Sequence, residues 1–124
     1  MKLGLDIHGV LDKNPKFFSM LTHSVMWDIY IITGGSVKEG TILEELKMMN
    51  IRYDKIFSVY DHLKSIGEKT NEELGIASQF PFPDEVWNKV KAVYCKENKI
   101  DMMFDDMPEY LQYFTTPNIL VKNT

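Results

Sequence analysis

The chain has 124 residues, 44% of them hydrophobic and 26% charged, with a formal net charge of −4, a make-up that suits one domain with a real core and leaves little room for a second. No hydrophobic run exceeds four residues, against the roughly 20 that a membrane span needs, and the lone Cys95 excludes an intrachain disulfide or a CxxC thiolate metal site. Thirteen Lys against a single Arg (Arg52), in an acidic balance, speak against a general nucleic-acid-binding surface and leave a nucleotide or a strand end open as a substrate.

Residues 3–7 read as a short strand, and Asp6 interrupts the N-terminal apolar stretch too early for a secretory leader, so a cytoplasmic protein is expected. Residues 15–25 carry helical spacing through Phe17, Phe18, Leu21 and Val25, with Asn14 as N-cap and Pro15 at the first helical position. Residues 28–33 predict the second strand, stopped by Gly34-Gly35. Ser36 followed by Glu39 has the form of a capping box, and Val37, Ile42, Leu43, Leu46 and Met49 share one face of a helix ending near Asn50. Residues 55–60 (KIFSVY) predict a third strand and 62–68 a short helix. Residues 70–83 read as irregular, because Pro81 and Pro83 disfavour helix. Asp84 stands as the cap of a helix to about Asn98; 100–105 (IDMMFD) is a fourth strand, 108–114 a short helix and 118–122 (NILVK) a fifth strand.

Strands alternating with helices predict βαβ units: a single α/β domain over residues 1–124, a Rossmann-like three-layer sandwich with a mainly parallel sheet of about five strands. In open sheets of this kind ligands bind beyond the carboxyl ends of the strands. Asp6-Ile7-His8-Gly9-Val10-Leu11-Asp12 follows strand one, Thr33-Gly34-Gly35 strand two, and Asp105-Asp106 strand four. Three acids gathered at one sheet edge repel unless a cation joins them, and a hard divalent ion such as Mg²⁺ suits oxygen donors. Read alone, each of these is a turn or cap: Asp6 ends a strand, Thr33-Gly34-Gly35 turns, and Asp105-Asp106 precedes Pro108.

Asp6-Ile7-His8-Gly9-Val10-Leu11, then a strand ending in Thr33, then a Lys on a later helix, then Met103-Phe104-Asp105-Asp106 resembles the four ordered motifs of the haloacid dehalogenase superfamily of phosphohydrolases, over most of the chain. The resemblance implies that Asp6 is the nucleophile that takes the phosphoryl group as an aspartyl-phosphate. It implies Mg²⁺ held by Asp6, the backbone carbonyl of His8 and Asp106, with Asp105 as near neighbour. Thr33 and the backbone N–H of Gly34 would hold phosphoryl oxygens beside the next helix, together with a Lys. Lys89 and Lys91 both stand before strand four, and Lys91 fits the spacing to the acid pair better.

His8 departs from the pattern, since members with phosphatase activity usually carry a second Asp two residues after the nucleophile. A histidine suits general acid–base work near neutrality. It equally marks a metal- and phosphate-binding protein that turns over weakly or not at all, or a structural residue. A receiver-like signalling domain also places acids, Thr and Lys at strand ends, but with the acid pair early rather than late.

No cap insertion fits between Lys13-Asn14 and the first helix, and residues 60–83 offer room for only a short flap or lip. The implied site is open, suited to a bulky phosphoester, a phosphorylated small molecule, or closure by a second subunit of a homo-oligomer. Phe80-Pro81-Phe82-Pro83 with Trp87 reads as packing over the sheet edge or as a substrate-facing or dimerising lip. His23 and His62 read as surface or packing residues, and the eight Met as core filler.

Overall fold

The structure, a computed structural model, describes residues 1–122. Five strands, β1 (Lys2–Leu5), β2 (Asp28–Thr33), β3 (Lys55–Ser58), β4 (Met102–Asp105) and β5 (Asn118–Leu120), form one sheet in the order β3-β2-β1-β4-β5. Every pairing is parallel, with Leu5 level with Ile31 on one side and Phe104 on the other. Such a sheet is covered on both faces, and β2 shows it: Ile29 and Ile31 point into one core with Phe18, Ile42 and Leu46, while Tyr30 and Ile32 point into another with Cys95 and Met103. The first core lies under α1 (Pro15–Thr22) and α2 (Ile42–Met48), the second under α6 (Val90–Glu97). The architecture is the Rossmann-like three-layer α/β sandwich that the alternation of elements predicts. Among the described residues no helix is long and apolar enough to cross a membrane.

The chain leaves β1 toward β2 and β3 and later returns to β4 on the other side, so strand order reverses between β1 and β4. That reversal opens a crevice at their carboxyl ends, and the residues following β1, β2 and β4 border it. At the opposite, amino-terminal end of β2, Arg52 closes the sheet. Its guanidinium donates to the carbonyls of Thr22 (2.6 Å) and Trp27 (2.7 Å) and to both oxygens of Asp54, whose Oδ2 accepts the Ile29 N–H at 2.7 Å.

Several element boundaries differ from the sequence expectation. Helix α1 does begin at Pro15 with Asn14 capping Phe17 N–H, but it stops at Thr22, leaving Val25 98% exposed in the turn into β2. The Ser36–Glu39 pattern caps a turn rather than a helix: Ser36 Oγ accepts Glu39 N–H but donates to Asp61, Gly40 follows, and α2 starts only at Ile42 with Leu43 exposed. Strand β3 ends at Ser58 because Ser58 caps α3 (Val59–Ser65) by accepting Asp61 N–H, so Tyr60 is helical rather than extended. Within the stretch read as irregular, Thr70 and Glu73 form a capping box around α4 (Asn71–Leu74), which Gly75 ends at φ +70°. The single helix expected from Asp84 is two, α5 (Asp84–Trp87) and α6, broken at Asn88 and Lys89, and Pro83 rather than Asp84 is the flanking residue. The last helix, α7 (Pro108–Leu111), and β5 are each shorter than predicted.

Candidate active site

Asp6 is the first residue beyond β1, and its N–H still bonds to the Phe104 carbonyl of β4 at 3.1 Å, which fixes it at the switch point. Lys91, in the first turn of α6, is only 2% exposed. Its Nζ lies 3.2 Å from Asp6 Oδ1 and 2.7 Å from Asp105 Oδ2. The other oxygen of Asp105, at the end of β4, accepts the Met107 N–H at 3.0 Å. Asp105 is therefore wholly buried and engaged on both oxygens, while its half-buried neighbour Asp106 borders the cleft. Of the two candidate lysines, Lys91 stands in this cluster; Lys89 points elsewhere, its Nζ 5.7 Å from the Tyr113 ring centroid.

The turn after β1 is shaped by glycine. Gly9 adopts φ +84°, and a Cβ there would clash with the Asp106 carboxylate, so only glycine lets Asp106, just past β4, rest against the turn after β1. Asp12 Oδ1 accepts the Gly9 N–H at 2.8 Å and closes the turn. His8 faces outward at the cleft rim, its side chain 59% exposed, with Nε2 3.1 Å from Glu45 Oε1 of α2.

Burial pushes the Asp6 carboxyl up to about 7; Lys91 pulls it down and Asp105 pushes it up again. Burial and Asp105 likewise raise Asp106. Burial works against the Lys91 charge, but Asp6 and Asp105 outweigh it and hold the ammonium protonated well above its ordinary range. The hydrogen bond to Glu45 raises the His8 imidazole, with partial burial opposing and the charges of Glu45, Asp12 and Asp6 adding. Cys95, by contrast, is a buried thiol pushed up to about 12 by desolvation, which makes it inert.

Thr33 ends β2 almost wholly buried, and 34–41 form the loop that leads on to α2. Asp61 of α3 pins that loop: one oxygen accepts Ser36 Oγ (2.6 Å), the other the N–H groups of Val37 (2.8 Å) and Lys38 (3.2 Å). Ser58 Oγ holds the Gly35 carbonyl at 2.7 Å. Burial works against the Asp61 charge, yet these donors prevail and lower its pKa. Asp61 is a positioning residue that the motif reading passes over, although Ser58-x-x-Asp61 is the Ser/Thr-x-x-acid signature of a helix start.

Together these residues line an open cleft of about 580 Å³. Asp6, His8, Thr33, Gly34, Lys91 and Asp106 border it, and so do Tyr60, Phe80, Trp87 and Tyr110. A Cβ on Gly34 would stand 2.9 Å from the Trp87 ring, so glycine here lets the indole close against the loop. The 60–83 segment thus contributes its two ends to the cleft wall. His23, bonded to the Ser19 carbonyl, and His62, against the Phe57 ring, stand away from it.

Carboxylate oxygens of Asp6, Asp105 and Asp106 lie within 4.8 Å of one another. The donors are hard oxygens, and three acids against one ammonium leave negative charge uncompensated, so the set fits a divalent cation of the Mg²⁺ kind. No protein-family model, curated protein or solved structure matches the chain. Fold and site together define an α/β protein with a lysine-bridged carboxylate cluster at the switch point of its sheet.

Proposed function

We propose that this chain is a cytoplasmic, Mg²⁺-dependent phosphohydrolase acting on a phosphomonoester through an aspartyl-phosphate, in the manner of the haloacid dehalogenase superfamily it resembles. The observation that carries the reading is Lys91 buried between Asp6 and Asp105, with Asp106 and Thr33 on the same cleft, at the carboxyl ends of β1, β2 and β4. Asp6 Oδ attacks phosphorus as the bond to the leaving oxygen breaks, and that oxygen takes a proton from the His8 imidazolium. His8, now neutral, removes a proton from the water that attacks phosphorus, which releases phosphate and restores Asp6. Lys91 Nζ and the Thr33–Gly34 turn hold the equatorial oxygens and stabilise their charge. Asp6, the His8 carbonyl and Asp106, with Asp105 adjoining, would hold Mg²⁺, which would neutralise charge between carboxylate and phosphoryl group. Phosphate release from an aryl phosphate, with Mg²⁺ and with chelator, tests the reading; activity surviving Asp6→Asn overturns it.

A second reading, metal and phosphate binding without turnover, is favoured by the Glu45 contact that already occupies His8 Nε2. It expects a phosphate mimic to bind without release of product, and phosphatase activity to appear in His8→Asp.

A further inference from the structure

We propose that the cleft selects phosphomonoesters whose leaving group carries a planar aromatic ring and no further phosphate. The inference rests on the phosphohydrolase reading above and goes beyond it to the substrate class.

Phe82, Trp87 and Phe80 form a three-ring stack: Phe82 lies 5.9 Å from Trp87 at 12° and Phe80 lies 6.1 Å from Trp87 at 19°. Exposure rises along the stack, from wholly buried Phe82 through nearly buried Trp87 to half-buried Phe80, which borders the cleft. Packing alone accounts for the inner two rings. The outer ring ends the stack in a cavity that holds the phosphoryl-site residues, with half-buried Tyr60 beside it. Trp87 Nε1 donates to Tyr110 Oη at 2.8 Å within the core, and Phe80 rests against both of these rings, so another ring docking on Phe80 meets a packed support and a low ordering cost. A volume of about 580 Å³ exceeds what a phosphate alone fills and lies in the range of small-molecule sites, about 300–1,000 Å³.

Charge limits the rest of the ligand. Around the cleft stand Asp6, Glu39 and Asp106 against Lys91, with His8 at the rim. Lys91 together with the cation of the phosphohydrolase reading would receive one phosphoryl group; each additional phosphate meets Glu39 and Asp106, with no second lysine or arginine among the described residues bordering the cleft. A nucleoside monophosphate and an aryl phosphate share the chemistry that fits, a single phosphate on a ring-bearing group.

The test compares adenosine 5′-monophosphate, O-phosphotyrosine, glycerol 3-phosphate and adenosine triphosphate. Their kcat/KM is measured with the wild-type chain and Mg²⁺, and their binding by calorimetry with Asp6→Asn in Mg²⁺ and wild type in chelator. The ring-bearing monoesters are expected to exceed glycerol 3-phosphate by about tenfold or more, the scale on which one stacked ring contributes. The triphosphate should fall below the monophosphate. Phe80→Ala should shrink the ring preference and Phe80→Trp should keep it. Adenosine monophosphate ahead of phosphotyrosine assigns a nucleobase, the reverse order a phenol. Equal values for glycerol phosphate and ring-bearing esters, or a preference untouched by Phe80→Ala, overturn the proposal while the phosphohydrolase reading stands. Absence of turnover with every ester overturns that reading instead, and the calorimetric ratio then decides ring recognition by itself; no binding of any ester overturns both.

Discussion

At the amino-terminal end of β2, Arg52 meets one carboxylate, Asp54, and spends its remaining donors on the Thr22, Ser24 and Trp27 carbonyls. At the carboxyl ends of β1 and β4, Lys91 meets two carboxylates with a third close by, all but Asp106 buried. The first knot is balanced in charge and tied in hydrogen bonds, and it holds the loop ends where strands begin. The second carries surplus negative charge, so that burial pushes Asp6 up to about 7 rather than leaving it an ordinary carboxylate. A balanced pair needs nothing more than the fold to explain it, whereas a buried surplus is a site that a ligand or cation would complete.

The sharpest way to break this contrast is Lys91→Met. Stripping the cation from a buried pair leaves Asp6 and Asp105 facing one another and should cost about 3–5 kcal/mol in urea unfolding at pH 8, with activity lost. Part of that loss should return at pH 5.5. The folded-state pKa of Asp6 lies above the ordinary 3.8, so its ionisation costs stability as pH rises through that window, and acid relieves it. An equal loss at both pH values would contradict the account.

Arg52→Ala should cost about 2 kcal/mol, the scale of charge-assisted hydrogen bonds lost to carbonyls and carboxylate. This loss should be flat between pH 5.5 and 8. The Ile29 N–H bond and Arg52 hold Asp54 below its usual range, so its contribution is complete above that range and fails only in stronger acid. Phosphate release should be unchanged, because Arg52 stands at the far end of the sheet.

The smallest stability effect belongs to Asp6→Asn. Removing a charge that the folded state disfavours should be neutral or stabilising by under about 1 kcal/mol at pH 8, with the gain fading toward pH 5.5. Thermal melts at both pH values, set beside the lost phosphate release, separate the stability of this residue from its chemistry.

The strands and their terminal acids were open to reading because apolar runs broken by Asp, Thr-Gly-Gly and Asp-Asp are local patterns that the parallel sheet then brings together. What escaped reading depends on partners remote in the chain. Lys91 is legible as the better-spaced of two candidate lysines, but its burial between acids 14 and 85 positions away is not. Glu45 meets His8 across 37 positions, and Asp61 accepts the Ser36 hydroxyl proton across 25 while Ser36 Oγ still accepts the Glu39 N–H. The break between α5 and α6 separates two tertiary contacts, Trp87 packed against Phe82 and Gly34 on one side and Lys91 paired with Asp105 on the other.

The pairing of Leu3 with Met102 has a kinetic side. Strands β1 to β3 can associate while the chain is still growing, but β1 keeps one unpaired edge until nearly a hundred further residues have been made. Closing so long a loop between parallel neighbours is the slow kind of step in folding. Asp6 therefore waits long for its surroundings, because Lys91, Asp105 and Asp106 follow it by 85 to 100 positions in the chain.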